Sequence, residues 1–250
     1  MKFIITENYA ELSEAMKCQM LKHMYSQKPR VNIAITTGRT PVQGYKLLAE
    51  FVKGKKCFNN VHYYIFDEFY FKGDKKGDCR RSLDYKYFDL AGVEEENIHD
   101  LNYENYQNYD IQLQNDGGLD MVIMGIGTNG HFCGNQPHTF QNWNEGVHLI
   151  DRHATKTVEN LMLELLHNDY NSNDESLIPN NYITMGPRTI MQAKSIVFIL
   201  SGKEKAETVQ KAFFGPIKEE FPVSIFQLHR DVTVILDKDA ASLIKHNIIY

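Results

Sequence analysis

The chain has no excess of positive charge, no long apolar run and no paired cysteines, and each absence removes a class of function. With 27 lysines and arginines against 32 aspartates and glutamates, the net charge of -5 offers no basic footprint for DNA or RNA. The longest apolar runs, such as SIVFIL at 195–200, are far short of a membrane span. The opening MKFIITENYAE carries acids where a signal peptide needs an apolar stretch. Neither a nucleic-acid nor a membrane partner is expected, and a cytoplasmic location is. Cys18, Cys57, Cys79 and Cys133 are scattered without a C-x-x-C pair, so no zinc site or disulfide framework is indicated. Reduced thiols fit a cytosolic address. No internal repeat is present.

What is there is the composition of a globular α/β protein. A chain of 250 residues, 42% hydrophobic and 24% charged, buries a sizeable core within one domain, so residues 1–250 are expected to form a single unit. Short β-rich runs at 31–36, 62–66, 119–124, 195–200 and 232–236 alternate with helical patterns at 9–27, 41–52, 103–115, 155–167 and 203–214, with a short one after Asp239. Near-continuous apolar strands separated by helices imply parallel crossovers with both sheet faces covered. The expected fold is a doubly wound α/β domain, a mainly parallel sheet flanked by helices. The Asn-rich stretch at 167–176 reads as an exposed loop or a mobile lid.

Ligands of such sheets gather at the carboxyl ends of the strands, and three of those ends are unusual. The first is TTGRTP at 36–41. Thr40 and Gln43 have the spacing of a capping box, Pro41 suits the first helical position, and Gly38 allows a tight turn. Free N–H groups and the hydroxyls of Thr36, Thr37 and Thr40 would then surround a helix N-terminus, a setting for phosphate, although a well-capped helix without a ligand has the same letters. The second is Asp67 and Glu68, which follow a buried strand directly; acids there are costly unless paired or open to a cleft. A carboxylate with a raised pKa in that position can shuttle a proton between neighbouring carbons. The third is GIGTNGHFCGNQP at 125–137, where His131 sits among glycines that let a substrate approach the backbone. Its first six letters also spell G-x-G-x-x-G, with Asp151 at the distance of a ribose-binding acid. The helix breakers Gly134 and Pro137 argue against that dinucleotide turn.

In combination and in this order, TTGRTPVQGYKLL, FDEFY, MGIGTNGHFCGNQP, SGKEKAETVQ and VSIFQLH resemble the glucosamine-6-phosphate deaminase and 6-phosphogluconolactonase superfamily, over nearly the whole chain. The Asn of GNQP and the QLH segment resemble its deaminase/isomerase branch, which acts on glucosamine or galactosamine 6-phosphate. The resemblance implies a modified Rossmann-like fold and cofactor-free, metal-free conversion of an amino sugar 6-phosphate to a ketose phosphate and ammonia. It implies that His131 opens the sugar ring and that Asp67, with Glu68 beside it, moves a proton between C2 and C1. Thr37, Gly38 and Thr40 would hold the phosphate, with Lys205 neutralising it and Arg188 as a weaker candidate for the same task. A small-molecule sugar phosphate is thus the expected partner, and a homo-oligomer is possible within the family.

The sequence departs from the family pattern at two acids around the histidine, which are here Asn129 and Gln136. An amide can orient an imidazole but cannot stabilise its charge, so ring opening is the step most affected. Arg39 stands where the family usually has a small residue and would add a phosphate contact or narrow the pocket. The segment 139–180 matches poorly and is a candidate lid or variable region. Two alternatives stand beside the deaminase: a catalytically weak sugar-phosphate sensor, and a hydrolase of the 6-phosphogluconolactonase type with His131 activating water.

Overall fold

In a computed structural model that describes residues 1–244, the chain forms strands β1 (Lys2–Thr6), β2 (Val31–Ile35), β3 (Val61–Ile65), β4 (Asp67–Glu68), β5 (Ile98–His99), β6 (Met121–Met124), β7 (His148–Asp151), β8 (Asn181–Thr184), β9 (Ile196–Leu200) and β10 (Val232–Asp237). Its α-helices are α1 (Tyr9–Met24), α2 (Val42–Val52), α3 (Asp78–Leu83), α4 (Asp89–Ala91), α5 (Tyr106–Asn115), α6 (Lys156–Asn168), α7 (Pro187–Met191) and α8 (Ala206–Phe214). The five expected strands are present to within two residues at either end. The turns from 238 to 244 stand where a short helix was expected after Asp239, and the rest of that expectation lies outside the described residues.

Seven strands form a parallel sheet in the order β1-β10-β9-β6-β2-β3-β5. Every residue of β2, β6, β9 and β10 is buried, which is why these segments read as unbroken apolar runs rather than alternating ones. Helix α1 sends Leu12, Met16, Met20 and Met24 into the core along one face. From β2 the chain winds to β3 and β5, and from β6 it winds the other way to β9 and β10. The direction therefore reverses between β2 and β6, the neighbouring strands whose following loops carry the TTGRTP and GIGTNGH motifs. A cleft outside the carboxyl ends of two such strands is where this architecture binds ligands.

A second, antiparallel sheet of order β4-β8-β7 stands beside that cleft. It was not expected from the sequence. It packs with α6 around a separate apolar cluster that includes Phe71, Ile150, Met162, Leu166 and Tyr182. Among the described residues, no helix is long and apolar enough to cross a membrane.

Candidate active site

Two adjoining chambers, with volumes of about 600 and 510 Å³, open at the switch point and share Thr37, Asp67, His131, Cys133 and Leu161. The larger is bounded by the loop after β2, the glycines after β6, and Lys205 in the turn after β9. The smaller lies against Phe69, Cys79, Tyr182 and one side of α6.

The loop after β2 turns its carbonyls away from the cleft. The carbonyl of Thr36 accepts from the Tyr45 hydroxyl at 2.8 Å, that of Thr37 from Lys86 Nζ at 2.9 Å, and that of Thr40 from the Tyr9 hydroxyl at 3.0 Å. The backbone N–H groups of Thr37, Gly38, Arg39 and Thr40 make no hydrogen bond among the described residues. Four free donors on one loop ahead of a helix suit an anion. The capping box is not formed. Pro41, in the αR region, occupies the N-cap of α2, and no side chain caps that end. Proline lacks the N–H that a cap would satisfy and continues the turn directly, so Thr40 stays free on the cleft side. Arg39 is exposed at the rim of the same chamber.

Lys205 Nζ donates to the Ile126 carbonyl at 2.7 Å, which ties the turn after β9 to the glycine loop. Burial, with some help from Arg39, pushes its pKa down. Arg188 is elsewhere. It pairs with Asp110 at 2.8 Å, and Asp110 also accepts from the Thr189 hydroxyl and the Val147 N–H. The phosphate role assigned to Arg188 by resemblance is therefore corrected to one of bracing α7 against α5. Lys86, which the sequence did not single out, is the cation that supports the loop from behind.

Asp67 and Glu68 are not in a loop but form β4, with Asp67 opposite Thr184 and Glu68 opposite Ile183. Successive strand residues face opposite ways, yet both acids reach the wall of the smaller chamber. Asp67 faces the cleft, where burial pushes its pKa up to about 7. The Cys79 thiol donates to its Oδ1 at 3.7 Å and opposes that shift. Glu68 is buried; its Oε1 accepts from the N–H of Phe69 and of Cys79, both at 2.9 Å, and its Oε2 from that of Arg80 at 2.8 Å. Burial pushes Glu68 up to about 8, while those three donors pull it down. Glu68 lines the smaller chamber beside Asp67, and its oxygens are already engaged by backbone N–H groups of Phe69 and the start of α3. Gly77 makes this possible, because a Cβ there would overlap the Glu68 carboxylate.

His131 is held by a chain of amides. Gln136 Oε1 accepts from Asn129 Nδ2 at 2.8 Å, and Asn129 Oδ1 lies 2.7 Å from His131 Nδ1 and 3.3 Å from the His131 backbone N. The backbone N–H can only donate, so Asn129 presents its oxygen, and the ring nitrogen facing that oxygen carries the proton. That leaves Nε2 as the basic nitrogen of a ring that lines both chambers. Burial, followed by the Lys205 charge, pushes the His131 pKa down to about 4. Gly127 admits the ring, since a Cβ there would collide with it. After Gly130 the chain forms turns rather than a helix, and Asp151 accepts from the His153 N–H at 2.8 Å. Both observations dispose of the dinucleotide turn.

A family model described as glucosamine-6-phosphate isomerases/6-phosphogluconolactonase matches residues 7–162, which include the TTGRTP loop, the Asp-Glu pair and the glycine-histidine loop. The chain belongs to that family. A glucosamine-6-phosphate deaminase of Thermoanaerobacter sp. (strain X514) is 33% identical over 252 residues, covering 98% of this chain and 95% of the relative. One from Clostridium perfringens is 33% identical over 253 residues, covering 98% and 100%. Among solved structures, a monomeric glucosamine-6-phosphate deaminase superposes with a TM-score of 0.79 at 27% identity, covering 97% of this chain and 100% of that one. A 6-phosphogluconolactonase from Thermotoga maritima has a TM-score of 0.68 at 21% identity, covering 94% and 98%, and shares the fold.

Within this family member, several cleft residues escaped sequence reasoning. Cys79 and Cys133 come from distant segments yet both reach the cleft beside Asp67. Leu161 of α6 is 47% exposed and lines both chambers. The QLH segment serves the fold: Gln227 Nε2 donates to the Ala212 and Gly215 carbonyls at 3.0 Å, and His229 Nε2 meets the Ala193 carbonyl at 2.9 Å.

Proposed function

We propose that this protein converts an amino sugar 6-phosphate of the glucosamine 6-phosphate type to the ketose 6-phosphate and ammonia. The observation that carries the reading is the meeting of Asp67 and His131 at the junction of two chambers, one of which is walled by free N–H groups and Lys205. With the phosphate on Thr37, Gly38 and Thr40, the remote end of the sugar reaches that junction. Arg39 and Lys205 add positive charge at the phosphate end.

His131 Nε2 takes the proton of the anomeric hydroxyl and returns it to the ring oxygen, which opens the ring. Asp67, ionised, then removes the proton from C2 and delivers it to C1 on the same face, while a proton passes from the C2 amine to O1, leaving a hydroxyl at C1 and an imine at C2. Water adds to that carbon, the C2–N bond breaks, and ammonia departs with the added proton. One carboxylate serves both transfers because the two carbons are adjacent. The two amides keep the imidazole in the required tautomer, although they cannot support it as a cation. Helix α6, with Leu161 lining both chambers, is the lid of this reading, and the loop after it is anchored rather than free: the Tyr170 hydroxyl bonds both Asp74 and Arg81.

The test is to assay glucosamine and galactosamine 6-phosphate for release of ammonia and ketose phosphate. Turnover of at least one is expected, and Asp67→Asn is expected to abolish it while phosphate-dependent binding persists. Binding without turnover of either would favour a sensor, and hydrolysis of 6-phosphogluconolactone in its place would favour the lactonase branch.

A further inference from the structure

We propose that the Cys79 thiol positions the Asp67 carboxylate for proton transfer. The inference rests on the reading of Asp67 as the base and adds a residue to it. The geometry runs through three elements. Glu68, the buried second residue of β4, accepts the N–H groups of Cys79 and Arg80 and so fixes the first turn of α3. That places Cys79 Sγ 3.7 Å from Asp67 Oδ1, within reach of a thiol donor. The two carboxylates of the Asp-Glu pair are thereby linked around a loop of ten residues: one holds the backbone of Cys79, and the side chain of Cys79 holds the other.

Cys79 is fitted to donate. Burial, together with the charges of Glu68 and Asp67, pushes its pKa well up, so it keeps its hydrogen as pH rises through the range in which Asp67 ionises. A buried carboxylate with no fixed partner can rotate; a hydrogen bond to Oδ1 leaves Oδ2 free to meet the substrate carbon and favours the ionised form. The other titratable groups around Asp67 and Cys79 are Glu68 on the same strand, His131 and Cys133 in the glycine loop, Glu164 on α6, Tyr182 on β8 and Lys205 after β9, with Asp78 and Lys86 beside Cys79. None of these makes a hydrogen bond to the Asp67 carboxylate among the described residues, so Cys79 alone holds it.

The experiment is the pH dependence of kcat/KM for glucosamine 6-phosphate in the wild type, Cys79→Ala, Cys79→Ser and Asp67→Asn, with thermal unfolding of each. Cys79→Ala is expected to move the acidic limb to higher pH and lower kcat about threefold to tenfold, the worth of one hydrogen bond of ordinary strength from a weak thiol donor, with KM little changed. Cys79→Ser, a stronger donor of similar size, is expected to restore kcat and move the limb to lower pH. An unmoved limb in Cys79→Ser, or a serine variant that behaves like alanine, would overturn the proposal and assign Cys79 to packing. Full activity in Asp67→Asn would instead remove the base itself, and the proposal with it. Should the alanine variant fail to fold, the direction of the limb in the serine variant decides.

Discussion

At the residue scale, the centre of the account is a neutral histidine held by neutral partners. Replacing Asn129 and Gln136 together by Asp and Glu puts a negative charge 2.7 Å from His131 Nδ1. The His131 pKa should then rise by roughly one to three units, readable by NMR titration, and glucosamine 6-phosphate turnover should increase. An unchanged rate would mean that ring opening is not limited by the amides. Gly127→Ala should displace the ring and cost activity about a hundredfold or more, with stability much less affected, because a shift of about 1 Å is enough to misplace a catalytic group. His131, Asn129 and Asp67 were legible from motif letters because each is a local departure from the apolar background. Arg188 and Glu68 were not: both look available in the sequence, and only the fold shows that Asp110 and three backbone N–H groups occupy them. The pair of cleft cysteines was hidden for the same reason, since residues 79 and 133 meet only through tertiary structure.

At the scale of elements, the long buried strands were readable and the short ones were not. β2, β6 and β9 announce themselves by continuous burial, whereas β4 and β5 are two residues long and carry no period to detect. The small sheet matters nonetheless, because it converts the Asp-Glu pair from a loop into a strand in which Asp67 keeps free oxygens in the cleft and Glu68 is tied to the start of α3. Glu68→Gln should therefore act on α3 rather than on chemistry. An amide cannot accept with both ends, so one buried N–H loses its partner, and the variant should lose about 1–3 kcal/mol in denaturant unfolding. Tyr170→Phe tests the anchor after α6: freed from Asp74 and Arg81, residues 168–176 should be cleaved faster by protease, with the core unfolding transition little changed.

At the scale of the whole molecule, the winding reversal between β2 and β6 gathers phosphate donors and proton-transfer groups around one cleft. Such an arrangement stores cost in the fold. Asp67 has a folded pKa of about 7, above its ordinary value of 3.8, so its protonated form is favoured by folding. That contribution is complete below the unfolded pKa and is lost as pH rises through about 7. Asp67→Asn should consequently raise stability at pH 8 by on the order of 1 kcal/mol or more while ending catalysis, and the gain should vanish at pH 4. Activity should show the complementary trend, rising with pH through about 7 as the base ionises, with His131 already neutral throughout that range. The most direct test of the central claim follows the proton itself. With glucosamine 6-phosphate deuterated at C2, the wild-type protein should lose the label from C2 and deliver part of it to C1 of the ketose phosphate, the remainder exchanging with water, and Asp67→Asn should do neither. Ketose phosphate formed by Asp67→Asn at the wild-type rate, or wild-type product with the incoming hydrogen spread over both faces of C1, would contradict it.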